Sequence, residues 1–109
     1  MAKALDMMQG TLDLLILKSL ATTPMHGWGI SSQIQRMSGD AFRIGQGSLY
    51  PALHRLENRG WLTSYWGPTE NQRIARFYDL TVSGEHQLEA EISAWRSYAS
   101  AVDSVIRAP

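Results

Sequence analysis

Cysteine is absent from all 109 residues. That excludes disulfides and thiolate metal sites and agrees with a reducing compartment. Long apolar runs are absent too. The longest aliphatic stretch, Leu14-Leu15-Ile16-Leu17, is far short of the roughly 20 residues that cross a bilayer. The opening Met1-Ala2-Lys3-Ala4-Leu5-Asp6 lacks the build of a signal peptide, because an acid interrupts it and no apolar core follows. The expectation is a cytoplasmic chain with no membrane partner. Excess charge is lacking as well. Ten basic side chains balance ten acidic ones, which argues against a grossly basic polyanion binder. Chemistry-bearing clusters are scarce: His26, His54 and His86 fall in separate segments, with no metal-ligand spacing or nucleophile elbow. Gly45-Gln46-Gly47 lacks the lysine and third glycine of a phosphate loop. No enzyme, cofactor or metal is expected.

What the chain does have is an uneven distribution of charge. Residues 36–76 hold six arginines against three acids, and residues 77–109 hold two arginines against five acids. A local basic patch steers toward phosphate even where the total is zero. The length fits one domain able to bury a modest core.

The stretch Gly47–Gly60 organises the rest. Leu49, Ala52, Leu53 and Leu56 recur at helical spacing and define one apolar side. Ser48, Tyr50, Pro51, His54, Arg55 and Asn58 occupy the other, with Glu57 the one acid. A nearly acid-free polar face suits a DNA major groove. The periodicity alone fits an ordinary amphipathic surface helix equally well. Pro51 is expected in the first turn, where its missing N–H costs nothing, so the helix should start near Gly47 or Ser48, with Ser48 as cap.

Upstream, Thr11 is expected to cap a first helix, with Asp13 near its positive end. Leu12, Leu15, Ile16, Ser19 and Leu20 form its buried face, Leu14 and Leu17 widen it, and Thr22-Thr23-Pro24 stops it. A second helix opens at Met25–Ile30 and buries Ile30, Ile34 and Met37, with Trp28 near its start. Its glycines Gly27 and Gly29 imply close packing against the first helix. Gly39 should end it. Ala41-Phe42-Arg43-Ile44 alternates like a minimal strand. Downstream, Trp61–Trp66 and Arg73–Asp79 read as two strands joined by the turn cluster Gly67–Gln72. Three helices followed by a hairpin is the order of a winged helix-turn-helix.

From Thr81, a cap, to about Arg107 the pattern is helical again. Leu88, Ile92, Trp95, Ala99, Val102 and Ile106 are spaced by fours and threes as a seam. No later element can cover it, and a second copy of the chain is the simplest partner. The expected fold is therefore mainly α with a small β-hairpin. Residues 1–80 form the winged helix-turn-helix and 81–109 a C-terminal dimerisation helix, together one structural unit.

Several blocks resemble the PadR family of bacterial transcription regulators: Thr11–Leu17, His26-Gly27-Trp28-Gly29-Ile30, Gly47–Glu57 with its Leu49-Tyr50-Pro51-Ala52-Leu53 core, Gly60-Trp61, Arg73–Tyr78 and Leu80–Gly84. Together they cover nearly the whole chain in order, and the length resembles the short subgroup with one C-terminal dimerisation helix. The resemblance implies a homodimeric repressor on a near-palindromic double-stranded DNA operator. DNA contacts would come from Gln46, Gly47, Ser48, Tyr50, Pro51, His54, Arg55 and Asn58, and from Arg73 and Arg76 on the wing. Arg55 has three open roles: a guanine reader, a phosphate clamp, or an internal ion pair near Glu57. Tyr50 has two, DNA contact or core packing, and Arg73 and Arg76 either meet phosphate or lie on a solvated strand face. Trp66 is expected in hairpin packing. Trp95, with Ile92 and Ala99, is either a dimer-core aromatic or a platform for a small flat aromatic effector, since some short relatives take such compounds between subunits. The departures from the family pattern are Glu70 and Asn71 at the wing tip and His54 where a longer donor is common. The alternative function is a winged helix used only for protein contact.

Overall fold

A computed structural model describes residues 10–109; the opening segment read above for a signal peptide lies outside them. Four helices and a three-stranded antiparallel sheet follow in the order α1 (Thr11–Ser19), β1 (Met25–His26), α2 (Gly27–Met37), α3 (Gln46–Asn58), β2 (Leu62–Pro68), β3 (Ile74–Leu80) and α4 (Val82–Arg107). The helix-helix-helix-hairpin order and the long last helix agree with the sequence reading. The winged helix is built around α3. Its Leu49, Ala52, Leu53 and Leu56 are buried against Ile16, Leu17 and Leu20 of α1, Ile30 and Ile34 of α2, and Leu62 of β2.

Several local expectations are corrected. Gly10, with φ 85°, is the N-cap of α1, and Thr11 is already helical. Leu17 is fully buried, while Leu12 and Leu15 are half-buried. In α3 the cap is Gly45, not Ser48, and the helix begins at Gln46. Pro51 therefore lies in the second turn, where its ring removes one interior N–H donor. Its exposed position lets water satisfy the carbonyl left over.

Ala41–Ile44 is not a strand. Phe42 and Ile44 do pack on the core, so the alternation was a true burial signal. The Phe42 N–H, however, donates to Ser38 Oγ at 3.0 Å rather than to a neighbouring strand. The third strand is β1 instead, with Met25 opposite Tyr78 and His26 opposite Phe77, giving the order β1-β3-β2. Gly39 does take a left-handed φ of 61° after α2. Met37 was expected on the buried face of α2; it points out, and only Ile30 and Ile34 of that set are buried. Gly27 does mark a close approach, but to α3. A Cβ there would lie 2.7 Å from Tyr50 Oη.

The junction between wing and α4 is tight. Thr81 caps α4 by accepting from Gly84 N–H at 2.9 Å, and its hydroxyl donates to the Gly60 carbonyl at 2.7 Å. Thr81 N–H donates to the Trp61 carbonyl at 3.1 Å. A Cβ on Gly84 would overlap that same carbonyl oxygen. Because the obstacle is backbone, it cannot swing aside. Gly84→Ala is expected to destabilise the fold by about 1–3 kcal/mol, read as a fall in Tm. An unchanged Tm would show that α4 can slide off Trp61 freely.

Candidate nucleic-acid interface

With 3.6 residues per turn, burying Leu49, Ala52, Leu53 and Leu56 leaves Gly47, Pro51, His54 and Asn58 on the opposite side of α3. Those four, together with Gln46, Ser48, Tyr50 and Arg55, are all exposed. The hairpin β2–β3 stands beside this face and presents Arg73 and Arg76, also exposed. All ten residues expected at DNA therefore occur on accessible parts of α3 and the wing.

The flanks of α3 are tied in opposite directions. On one flank, Arg55 Nη2 donates to Asp13 Oδ1 of α1 at 2.5 Å. Arg55 thus has an internal ion pair, but its partner is Asp13 rather than a group beside Glu57. On the other flank, Ser64 Oγ of β2 donates to Glu57. Arg76 Nε donates to the same hydroxyl at 3.0 Å, and its Nη2 lies 3.4 Å from Glu57. Arg76 also sits over the Trp66 ring at 5.6 Å. Arg76 thus bridges the wing to α3 while its side chain stays exposed. Tyr50 combines the two roles left open: its hydroxyl end lies against Gly27 while the ring remains half exposed.

Sequence reasoning missed Trp28. It is 70% exposed at the start of α2 and is held from below. His26 caps α2 by accepting from Gly29 N–H on Nδ1 at 3.1 Å, sets its ring edge on Phe77 at 5.4 Å and lies 6.4 Å from the Trp28 ring. The block His26–Ile30 carried a signal in its aromatic between two glycines, but was read only as the opening of a helix.

The C-terminal seam divides along its length. Leu88 is buried in the core and Ile92 packs partly against it. Ala99 is half-buried. Trp95, Val102 and Ile106 are exposed, with Tyr98 and Val105 beside them. Trp95 and Tyr98 stack at 6.5 Å and border a cleft of about 500 Å³ between α1 and α4, with Leu14 and Glu91 on its walls. Glu91 Oε2 is buried with no hydrogen-bond partner among the described residues. Burial, and then the nearby Asp13 carboxylate, push the Glu91 carboxyl above the ordinary 4.5; Gln87 and Arg59 pull it back in part. Among the described residues no cluster of potential ligands could hold a metal, and no helix is long and apolar enough to cross a membrane.

A recognition-type helix with a free outer face, a second helix crossing behind it and a basic hairpin alongside define a winged helix-turn-helix protein. The model of the transcriptional regulator PadR-like family matches residues 16–90, and the chain belongs to that family. A transcriptional regulator of Mycobacterium tuberculosis is 32% identical over 87 residues, which are 80% of this chain and 78% of that protein. A transcriptional regulator from Clostridium thermocellum has a similar structure, with TM-score 0.82 and 25% identity over 91% of this chain and 96% of that one. Bacillus subtilis PadR, solved in complex with operator DNA, shares the fold with TM-score 0.66 and 24% identity over 75% of this chain and 47% of its own.

Two outcomes follow from these contacts. In a double-mutant cycle of Asp13→Asn and Arg55→Ala, the coupling in unfolding free energy should be about 0.5–1 kcal/mol, as expected for a half-exposed pair. Zero coupling would dissolve the α1–α3 tie. For Glu91, the raised folded-state value means that its charge opposes folding at neutral pH and stops doing so below the unfolded value. Glu91→Gln should therefore raise Tm at neutral pH, and the gain should vanish as the pH falls through 4.5 and below. A gain that persisted in acid would have to come from packing instead.

Proposed function

We propose that the chain is a DNA-binding repressor acting in the cytoplasm as a homodimer on a near-palindromic operator. The observation carrying this reading is the outer face of α3: Gly47, Pro51, His54 and Asn58 are open to solvent while the opposite face fills the core. α3 would enter the major groove, with Gln46, Ser48 and Tyr50 at its leading end and His54 and Asn58 reaching base edges. Arg55, half occupied by Asp13, retains donors for a phosphate or a guanine. Arg73 and Arg76 on the wing would add affinity through phosphate charge. The operator complex of Bacillus subtilis PadR supports double-stranded DNA as the partner.

The chain divides into a DNA-binding unit, residues 1–80, and a dimerisation helix, residues 81–109. The exposed part of the α4 seam, Trp95, Val102 and Ile106 with half-buried Ala99, is the surface a second copy would cover; Leu88 and Ile92 connect it to the core. Two copies joined there would set their recognition helices about one DNA turn apart, roughly 34 Å. A flat aromatic effector at Trp95, Ile92 and Ala99 would shift that spacing, and a coupling of about 1–3 kcal/mol suffices for release.

The test is a gel shift and footprint on the protein's own upstream region across a range of salt, with sedimentation of the free protein. The expected result is a dimer that prefers this region to random duplex. Arg73→Ala should lower the salt slope by about one without changing sequence preference. His54→Ala should reorder preference among operator variants, and Trp95→Ala should weaken the dimer. A flat aromatic compound that quenches tryptophan fluorescence in wild type should fail to do so in Trp95→Ala. A monomer that binds no duplex at low salt would point to the winged helix as a protein-contact module.

A further inference from the structure

Arg55 lies on the flank of α3 that meets α1, and one contact holds its guanidinium there. Nη2 donates to Asp13 Oδ1 at 2.5 Å. This is the one side-chain hydrogen bond of Arg55 among the described residues. The two partners differ in exposure: the Arg55 side chain is 45% exposed and that of Asp13 13%. The carboxylate is the inner member of the pair and the guanidinium the outer. Asp13 is also a fixed point. It stands in the first turn of α1, where the positive helix end favours its charge. Ile16, Leu17 and Leu20, which follow it, are at most 2% exposed in the core. On its other side Arg55 neighbours Asn58 of the open outer face, one turn along α3.

A guanidinium carries five N–H donors, and Asp13 takes one of them. The remaining fork is open to solvent but no longer free to turn. A free arginine samples many rotamers, and most acceptors on a duplex belong to the backbone. Guanine is more demanding, because its O6 and N7 must be met together by two N–H groups in one plane. Holding the fork beforehand lowers the entropy lost when both bonds form. We propose that Asp13 is a positioning residue for DNA recognition: from α1 it holds the Arg55 fork in the orientation that reads a guanine. The proposal rests on the DNA-binding reading above and assigns base preference in part to a residue outside α3 and the wing. The carboxylate also offsets the Arg55 charge, which lessens its attraction to phosphate in general. Removing the carboxylate therefore weakens discrimination without weakening binding to arbitrary DNA.

The experiment measures binding of full-length wild type, Asp13→Asn, Asp13→Glu and Arg55→Lys. The probes are the chain's own upstream region, a random-sequence duplex, and copies of the first with single guanines replaced by 7-deazaguanine, which lacks N7. Circular dichroism melts confirm that each variant folds. Asp13→Asn is expected to reduce the ratio of specific to random binding about tenfold, the discrimination of one bidentate contact, while affinity for random duplex stays level or rises. A merely structural tie would lower both affinities together. Asp13→Glu should restore part of the ratio, and Arg55→Lys, which keeps the charge and loses the fork, should not. Wild type should lose affinity at one guanine per half-site on 7-deaza replacement, and Asp13→Asn should be insensitive there. A wild-type ratio in Asp13→Asn, parallel loss on both duplexes, or a wild type insensitive to every replacement overturns the proposal while leaving the DNA-binding reading in place. Wild-type protein that binds neither duplex overturns both.

Discussion

The burial of one side of α3 is the constraint on which the rest of the molecule depends. Leu49, Ala52, Leu53 and Leu56 are each at most 1% exposed. Burying four such side chains is worth several kcal/mol on any area scale, far more than the polar ties on the flanks. The helix therefore cannot roll about its axis, and Gly47, Pro51, His54 and Asn58 must face out. The flank contacts then act as fine adjustment. Asp13–Arg55 ties α3 to α1, Glu57 with Ser64 and Arg76 ties it to the sheet, and Tyr50 rests on Gly27 of α2. Each neighbouring element thus holds a different side of the same helix. This explains why charged residues close to the outer face are spent on internal contacts.

The second fixed point is Trp61. Gly60 ends α3 with a left-handed φ of 80°, and Trp61 N–H donates back to the Leu56 carbonyl at 3.1 Å. The Trp61 carbonyl accepts from Thr81 and lies where Gly84 must have no side chain. One residue therefore joins the end of α3, the start of β2 and the first turn of α4. A change in the inclination of α4 acts through this joint on both the wing and α3.

How much of this was legible in the sequence depended on the range of the interaction. Elements defined by their own periodicity or punctuation were readable: the apolar stripe of α3, Gly60 as its stop, the hairpin, and Thr81 as the cap of α4. Features defined by a distant partner were not. β1 is two residues long and exists only because Tyr78 and Phe77 lie opposite it, so no local pattern announces it. Ala41–Ile44 had the alternation of a strand and lacked the neighbour. Pro51 suggested a late start for α3 because proline is cheapest in a first turn. Its exposed position relaxed that rule, and Gly45 rather than Ser48 began the helix. Arg55 and Arg76 have the same exposure and charge as free DNA contacts would, and only the fold reveals Asp13 and Glu57 beside them. Trp28 had no assigned role for the same reason: the His26 ring beside it, itself set against Phe77, is a tertiary fact.

Exposed large apolar residues gather in two regions of different electrostatic character. Trp28, Tyr65, Trp66 and Ile74 lie around α2 and the wing, where Arg36, Arg73 and Arg76 accompany them. Trp95, Tyr98, Val102, Val105 and Ile106 lie along the outer half of α4, where Arg96 and Arg107 stand against the single acid Asp103. Apolar surface of this extent on a small chain marks places that partners cover, and the surrounding charge discriminates between partners. Asp103 itself pairs with Arg107 at 2.9 Å. The first surface is thus accompanied by three arginines, while the second is close to neutral.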